Sequence, residues 1–221
     1  MTKICFNKRA FSFFENLAEN NNREWFNAHK DEFKSDVDTP FLELLEALSA
    51  QLADAKISFR GGPKTKFKMN RDVRFSNDKS PYKTAISALL TPSGTKDEMG
   101  GVLYVHMDRA GGLAAAGWYK LSPKMLKPMR QKMISDADEF DRVRAALSAS
   151  GRTLSDHDTL SSMPRGFEAH SDHRHAEFVR LKSLILSENL PKSAFTSGDV
   201  IDRLEKLAND AMPLLRFFKS A

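Results

Sequence analysis

Hydrophobic positions recur with helical spacing along the first fifty residues. Ala10, Phe13, Phe14 and Leu17 keep the i, i+3, i+4, i+7 rhythm of a buried stripe. Asn7, just ahead of them, carries a side-chain oxygen able to accept a free N–H of a first turn. The polar run Glu19-Asn20-Asn21-Asn22 breaks the pattern, and Asn22 is placed to cap a second helix with Trp25, Phe26, His29, Phe33 and Val37 on its apolar face. Asp38-Thr39-Pro40 reads as a fresh cap with proline at the first helical position. The stripe Phe41, Leu44, Leu45, Leu48, Leu52 then continues as a separate helix or as the far side of a kink.

Beyond residue 56 the period changes from 3.6 to 2. Ile57-Ser58-Phe59 has strand propensity, and Gly61-Gly62-Pro63 turns the chain. Over 64–70, alternation sets Lys64, Lys66 and Lys68 on one face of a strand and Phe67 and Met69 on the other. Residues 85–91 read as a short strand and 96–100 as a loop. Over 101–108, Val102, Tyr104 and His106 alternate with Leu103, Val105 and Met107, and 113–121 return as the second arm of a hairpin. Ser122-Pro123 opens a helix with the stripe Met125, Leu126, Met129, Met133, which reads as core filling. Ser135 with Asp138 resembles a capping box for a helix carrying Phe140, Val143 and Leu147 and ending at Gly151. Residues 152–175 read as loop, 176–182 as a helical turn and 183–188 as a last strand. Ser197 is expected to cap a C-terminal helix that Pro213 kinks or restarts. Helices at both ends and hairpins between them make this an α+β fold with a mostly antiparallel sheet, expected as a single domain over 1–221.

Composition narrows the class. Hydrophobic residues make up 41% of the 221, enough for a sizeable core, and the apolar runs are far shorter than the ~20 residues that cross a bilayer. The N-terminal residues lack the apolar stretch of a signal peptide, and a single Cys5 excludes an internal disulfide, so a cytoplasmic location is the expectation.

Charge singles out one stretch. Residues 63–84, PKTKFKMNRDVRFSNDKSPYKT, hold seven cations and two acids, which accounts for the whole net charge of +5. Arg71 and Arg74 bring planar forks suited to phosphate or carboxylate, Lys79 and Lys83 add point charges, and Ser76 adds a neutral donor. Asp78 and Tyr82 are the candidates for proton transfer. The reading is a basic cleft that takes a phosphorylated or carboxylated small molecule, with catalysis left open. The alternatives are a nucleic-acid module that uses the Lys64–Lys66–Lys68 face together with the same basic loop, consistent with a pI of 9.3, or an internal salt-bridge hub within an interaction protein. No nucleotide-binding glycine loop or nucleophile elbow occurs, and no cofactor is indicated. The run His170-Ser171-Asp172-His173-Arg174-His175 contains metal-ligand types without a known ligand spacing, and no metal is assigned to it. Neither membrane contact nor an oligomeric state follows from the residues.

The string RDVRFSNDKSPYKT at 71–84 also resembles the signature of the family called domain of unknown function 2461, conserved hypothetical proteins of bacteria and fungi. NNREWFNAHK at 21–30 is similar to that family's NN-x-x-WF segment. Residues 101–118 resemble its glycine-punctuated hairpin, and Pro164-Arg165-Gly166-Phe167 with Leu181-Lys182-Ser183 resembles its PRGF…LK-S block. The family's Asp-His-Pro after PRGF is not kept, because Asp172-His173 is followed here by Arg174. The resemblance implies an α+β domain and brings no established activity. It adds Arg165 and Lys182 as residues expected to join the basic loop in holding the anion.

Overall fold

The computed structural model describes residues 3–96 and 100–219. It is an α+β fold with a four-stranded antiparallel sheet in the order β1 (Ala85–Leu90), β2 (Val102–Asp108), β3 (Gly111–Trp118), β4 (Leu184–Pro191). Contacts gather into two compact units. The first comprises Met1–Glu98, Val102–Ala114 and Glu188–Lys206; the second comprises Met99–Gly101, Ala115–Ser187 and Leu207–Ala221.

In the first unit the N-terminal helices form as their caps predict. Asn7 accepts from Arg9 N–H at the start of α1 (Lys8–Glu19), and Asn22 accepts from Trp25 N–H at the start of α2 (Arg23–Ala28). Phe13 is fully buried and its ring lies within 5.4–6.2 Å of the rings of Phe14, Trp25, Phe26 and Phe33. Phe33 comes from the stretch that follows, α3 (Lys30–Glu32), a π-helical turn (Phe33–Asp38) and α4 (Thr39–Gln51). The expected fresh cap at Asp38 does not form: Asp38 has helical dihedrals and its side chain makes no capping bond. Thr39 N–H instead reaches Lys34 O, five residues back. The widened turn accommodates Pro40, which has no N–H for an ordinary helical bond.

Strand β2 alternates as the sequence predicts, with Leu103, Val105 and Met107 buried and Tyr104, His106 and Asp108 half-buried on the other face. It pairs with β1 in the register Leu89↔Tyr104, Ser87↔His106, Ala85↔Asp108. Residues 57–59 and 64–70 are not regular strands. Only isolated bridges, Arg60↔Thr91, Lys66↔Ala88 and Asn70↔Tyr82, hold this segment beside β1 and its approach. Gly111 has φ +129°, and a Cβ there would lie 2.3 Å from Leu190 O, so a side chain is excluded for both reasons. A short helix unannounced by the sequence, α8 (Lys192–Ser197), follows β4 and ends at the left-handed Gly198.

In the second unit, α5 (Pro123–Ser135) is capped by Ser122 and α6 (Ala137–Ala149) buries Phe140, Val143 and Leu147. The predicted capping box is absent. Asp136 is the N-cap, and the Ser135 hydroxyl bonds its carboxylate instead of a backbone N–H. Phe140 packs with Phe178, Phe217 and Phe218. Phe178 lies on α7 (Ala176–Val179), and the latter two end α9 (Val200–Phe218), which runs through Pro213 without restarting. The predicted loop at 96–100 lies partly outside the described residues.

Candidate functional site

The charged loop is the tip of a broken hairpin in the first unit. Arg71 N–H donates to Pro81 O and Lys83 N–H to Met69 O, each at 2.8 Å, which closes residues 72–80 into a turn. Asn21, between α1 and α2, clamps the base: its Nδ2 donates to Tyr82 O (3.0 Å) and its Oδ1 accepts from Tyr82 N–H (3.1 Å). The Tyr82 ring is buried and stacks on Phe26, centroids 4.0 Å apart. Tyr82 therefore anchors the loop to the aromatic core.

Within the tip the cations find local partners. Arg74 grips Asp72 with two parallel bonds, Nε to Oδ1 at 2.9 Å and Nη2 to Oδ2 at 2.7 Å. Arg71 is paired with Asp78, and Lys79 Nζ donates to Val73 O at 3.1 Å. Hydrogen bonds from Ser80, and then Arg71, hold the Asp78 carboxyl well below the usual carboxylate range. A group so firmly ionised is a weak base near neutral pH, so the environment of Asp78 suits an anchor for Arg71. Ser76 is half-buried, with its N–H bonded to Val73 O. Phe75 is 96% exposed, and the Arg74 guanidinium lies 5.8 Å from its ring centroid.

Lys83 is arranged differently. Its ammonium lies 5.4 Å from the centroid of the Phe67 ring, and Lys96 brings a second ammonium to 5.5 Å from the same centroid. Lys96 Nζ also donates to Lys66 O at 3.0 Å. No acidic side chain among the described residues pairs with either lysine. Burial, and then the charge of Lys96, pushes the Lys83 pKa down. Phe67 N–H bonds Ser87 O at 2.8 Å, and Ser87 stands opposite His106. Phe67, Ser87 and His106 thus share a row across the sheet, on the face away from Leu103, Val105 and Met107. Sequence reasoning missed Lys96 as a site residue. Nothing in the spacing of Lys96 connects it to Lys83, because a tertiary contact brings the two together.

The remaining predicted residues belong to the second unit. Lys182 Nζ pairs with Asp158 at 2.9 Å, and Asp158 also accepts from the Ser183 hydroxyl at 3.4 Å. Ser183 Oγ in turn accepts Lys120 N–H, where the backbone takes a left-handed φ of +48°. Lys182 chiefly, and Lys120 more weakly, keep the Asp158 carboxyl below its ordinary range. Arg165 is exposed. In the histidine cluster, His175 is fully buried, its Nε2 3.0 Å from Ala137 O, and His173 accepts His175 N–H at Nδ1. Among the described residues no group of three His, Cys, Asp or Glu side chains is placed to hold a metal ion.

The profile of the family described as conserved hypothetical protein, DUF2461, matches residues 9–217. The chain belongs to that family. The match takes in the clamp at Asn21, the whole loop, the Phe67 platform and the Lys182 cluster, so all of these lie within the family's domain. No curated protein and no solved structure matches the chain. No helix among the described residues is long and apolar enough to cross a membrane.

Proposed function

We propose that this family member binds a small phosphorylated or carboxylated ligand at the sheet face beside Phe67, with Lys83 and Lys96 holding the anion. The carrying observation is the pair of ammoniums over one aromatic ring, with Lys83 partly desolvated and repelled by its neighbour. Two ammoniums near one ring, with no acid among the described residues paired to either, are unfavourable, and a dianion bound to both relieves desolvation and repulsion. In this reading Arg71, Arg74, Lys79 and Ser76 shape the loop rather than grip the ligand, and neither Asp78 nor Tyr82 moves a proton. Arg165 and Lys182 are not drawn upon. The single exposed Cys5 favours a reducing cytoplasm as the place of work.

A salt-bridge hub describes the tip itself, since Arg71 and Arg74 are each paired with an acid of the same loop. A nucleic-acid surface is supported less well. Lys66 pairs with Asp38, which interrupts the three-lysine face between the exposed Lys64 and Lys68.

A thermal-shift screen with inorganic phosphate, sugar phosphates, nucleotides, dicarboxylates and short RNA tests the reading. A midpoint rise with one class of small anion, lost in Lys83→Ala, supports it. A rise only with RNA that fades with salt contradicts it.

A further inference from the structure

Tyr104, His106 and Asp108 stand two residues apart along the open face of β2, and their side chains form a continuous line. His106 Nε2 lies 3.2 Å from Asp108 Oδ2, and His106 Nδ1 lies 3.3 Å from the Tyr104 hydroxyl. An ionised carboxylate only accepts, so Nε2 carries the hydrogen toward Asp108. In the neutral ring Nδ1 then accepts from the Tyr104 O–H. Asp108 is itself fixed, because its other oxygen accepts Ala110 N–H at 2.7 Å in the tight turn between β2 and β3. The His106 and Asp108 side chains retain 24% and 33% exposure, so the line is supported from below and reachable from above. A proton-carrying group in contact with an imidazole that a carboxylate orients is the general layout of an acid–base relay.

The line lies next to the proposed anion site. Across the sheet Phe67 neighbours Ser87 and Ser87 faces His106, so two strand spacings of about 4.8 Å separate the lysine platform from the relay. We propose that Tyr104, His106 and Asp108 form an acid–base relay that hydrolyses a phosphate monoester whose anionic end Lys83 and Lys96 hold. This rests on the anion-site reading above. In the reactive step a protonated His106 donates from Nδ1 to Tyr104 while Asp108 accepts from Nε2. The oxygen of a water molecule forms a bond to phosphorus, and the bond from phosphorus to the ester oxygen breaks. The departing oxygen keeps the bonding pair and takes the phenolic proton of Tyr104, which regains a proton from His106 Nδ1. The attacking water releases a proton to solvent, and solvent reprotonates His106. The net change is ester plus water to alcohol plus inorganic phosphate. Tyr104 is the catalytic residue, His106 relays and Asp108 positions.

The leaving group supplies the test. An alkoxide needs a proton as it departs, whereas p-nitrophenolate departs without one. Steady-state hydrolysis of glycerol phosphate and of p-nitrophenyl phosphate is measured for wild type, Tyr104→Phe, His106→Gln and Asp108→Asn, alongside calorimetric binding of inorganic phosphate. General acid catalysis contributes about 100-fold or more. The expected result is therefore a loss of about that size on glycerol phosphate in Tyr104→Phe and His106→Gln, a loss under about 10-fold on p-nitrophenyl phosphate, and unchanged phosphate binding. Equal losses on both esters, or a wild type that binds phosphate and hydrolyses neither, overturns the relay and leaves the anion site standing. Absence of phosphate binding overturns both.

Discussion

The carboxamide of Asn21 bonds both the N–H and the C=O of Tyr82, as a neighbouring strand would, across 61 residues of sequence. This tie, with the stacking of Tyr82 on Phe26, fixes the base of the charged loop to the helical core. Asn21→Ala leaves two partly buried backbone groups unpaired and is expected to cost about 1–3 kcal/mol. Asn21→Asp keeps the acceptor and loses the donor, so it falls between. Tyr82→Phe, which preserves the stacking, is expected to leave stability and anion binding near wild type. Urea unfolding checks all three, and a Tyr82→Phe variant that folds normally yet loses function would restore a chemical role to its hydroxyl.

Arg74 and Asp72 are both largely exposed, at 76% and 60% of their side-chain surface. Exposed pairs of this kind contribute little to stability even when bidentate. Arg74→Ala is therefore expected to leave the thermal midpoint within scatter and to leave anion binding intact. A large fall in the midpoint would make the loop tip a stabilising hub. A loss of anion binding would move the ligand from the sheet face to the loop.

Acid is expected to lower stability through His173. Burial, with the charges of His175, Arg174 and His170 outweighing the attraction of Asp141, lowers its pKa. The unfolded chain takes up this proton near the ordinary value of about 6.5, while the folded chain resists until lower pH. Stability is thus expected to fall as pH drops below about 6.5, and His173→Asn to flatten that slope. Thermal midpoints between pH 7.5 and 5.5 for the two proteins decide it; parallel curves would remove His173 from the explanation.

The sequence announces what depends on neighbours in the chain. Asn7 and Asn22 cap because the N–H groups they satisfy lie two and three residues away, and β2 alternates because one of its faces is buried. Where a local signal met a competing one a few residues away, it lost. Asp38 is not a cap because the π-helical turn carries the chain through Pro40, and Ser135 yields the cap position to Asp136. The basic loop was legible as a concentration of charge, but its pairing was not: Arg71 reaches Asp78 only because the hairpin folds back. Lys83 and Lys96 meet on Phe67 through a contact that neither residue's surroundings foreshadow. The polar alternation of Tyr104, His106 and Asp108 was on view, but a half-solvated strand gives the same pattern, and only the distances make it a relay.

The most direct test of the anion site is calorimetric titration of inorganic phosphate at pH 9.5 in two buffers of different ionisation enthalpy, on wild type, Lys83→Ala, Lys96→Ala and Arg74→Ala. An anion between the lysines raises the lowered pKa of Lys83 back toward its ordinary value, so binding is expected to take up protons. The expected result is saturable binding with proton uptake in wild type and Arg74→Ala, at least a tenfold (about 1.4 kcal/mol) loss of affinity in each lysine variant, and no uptake in Lys83→Ala. No binding in wild type, or binding undiminished in Lys83→Ala and in Lys96→Ala, would contradict it.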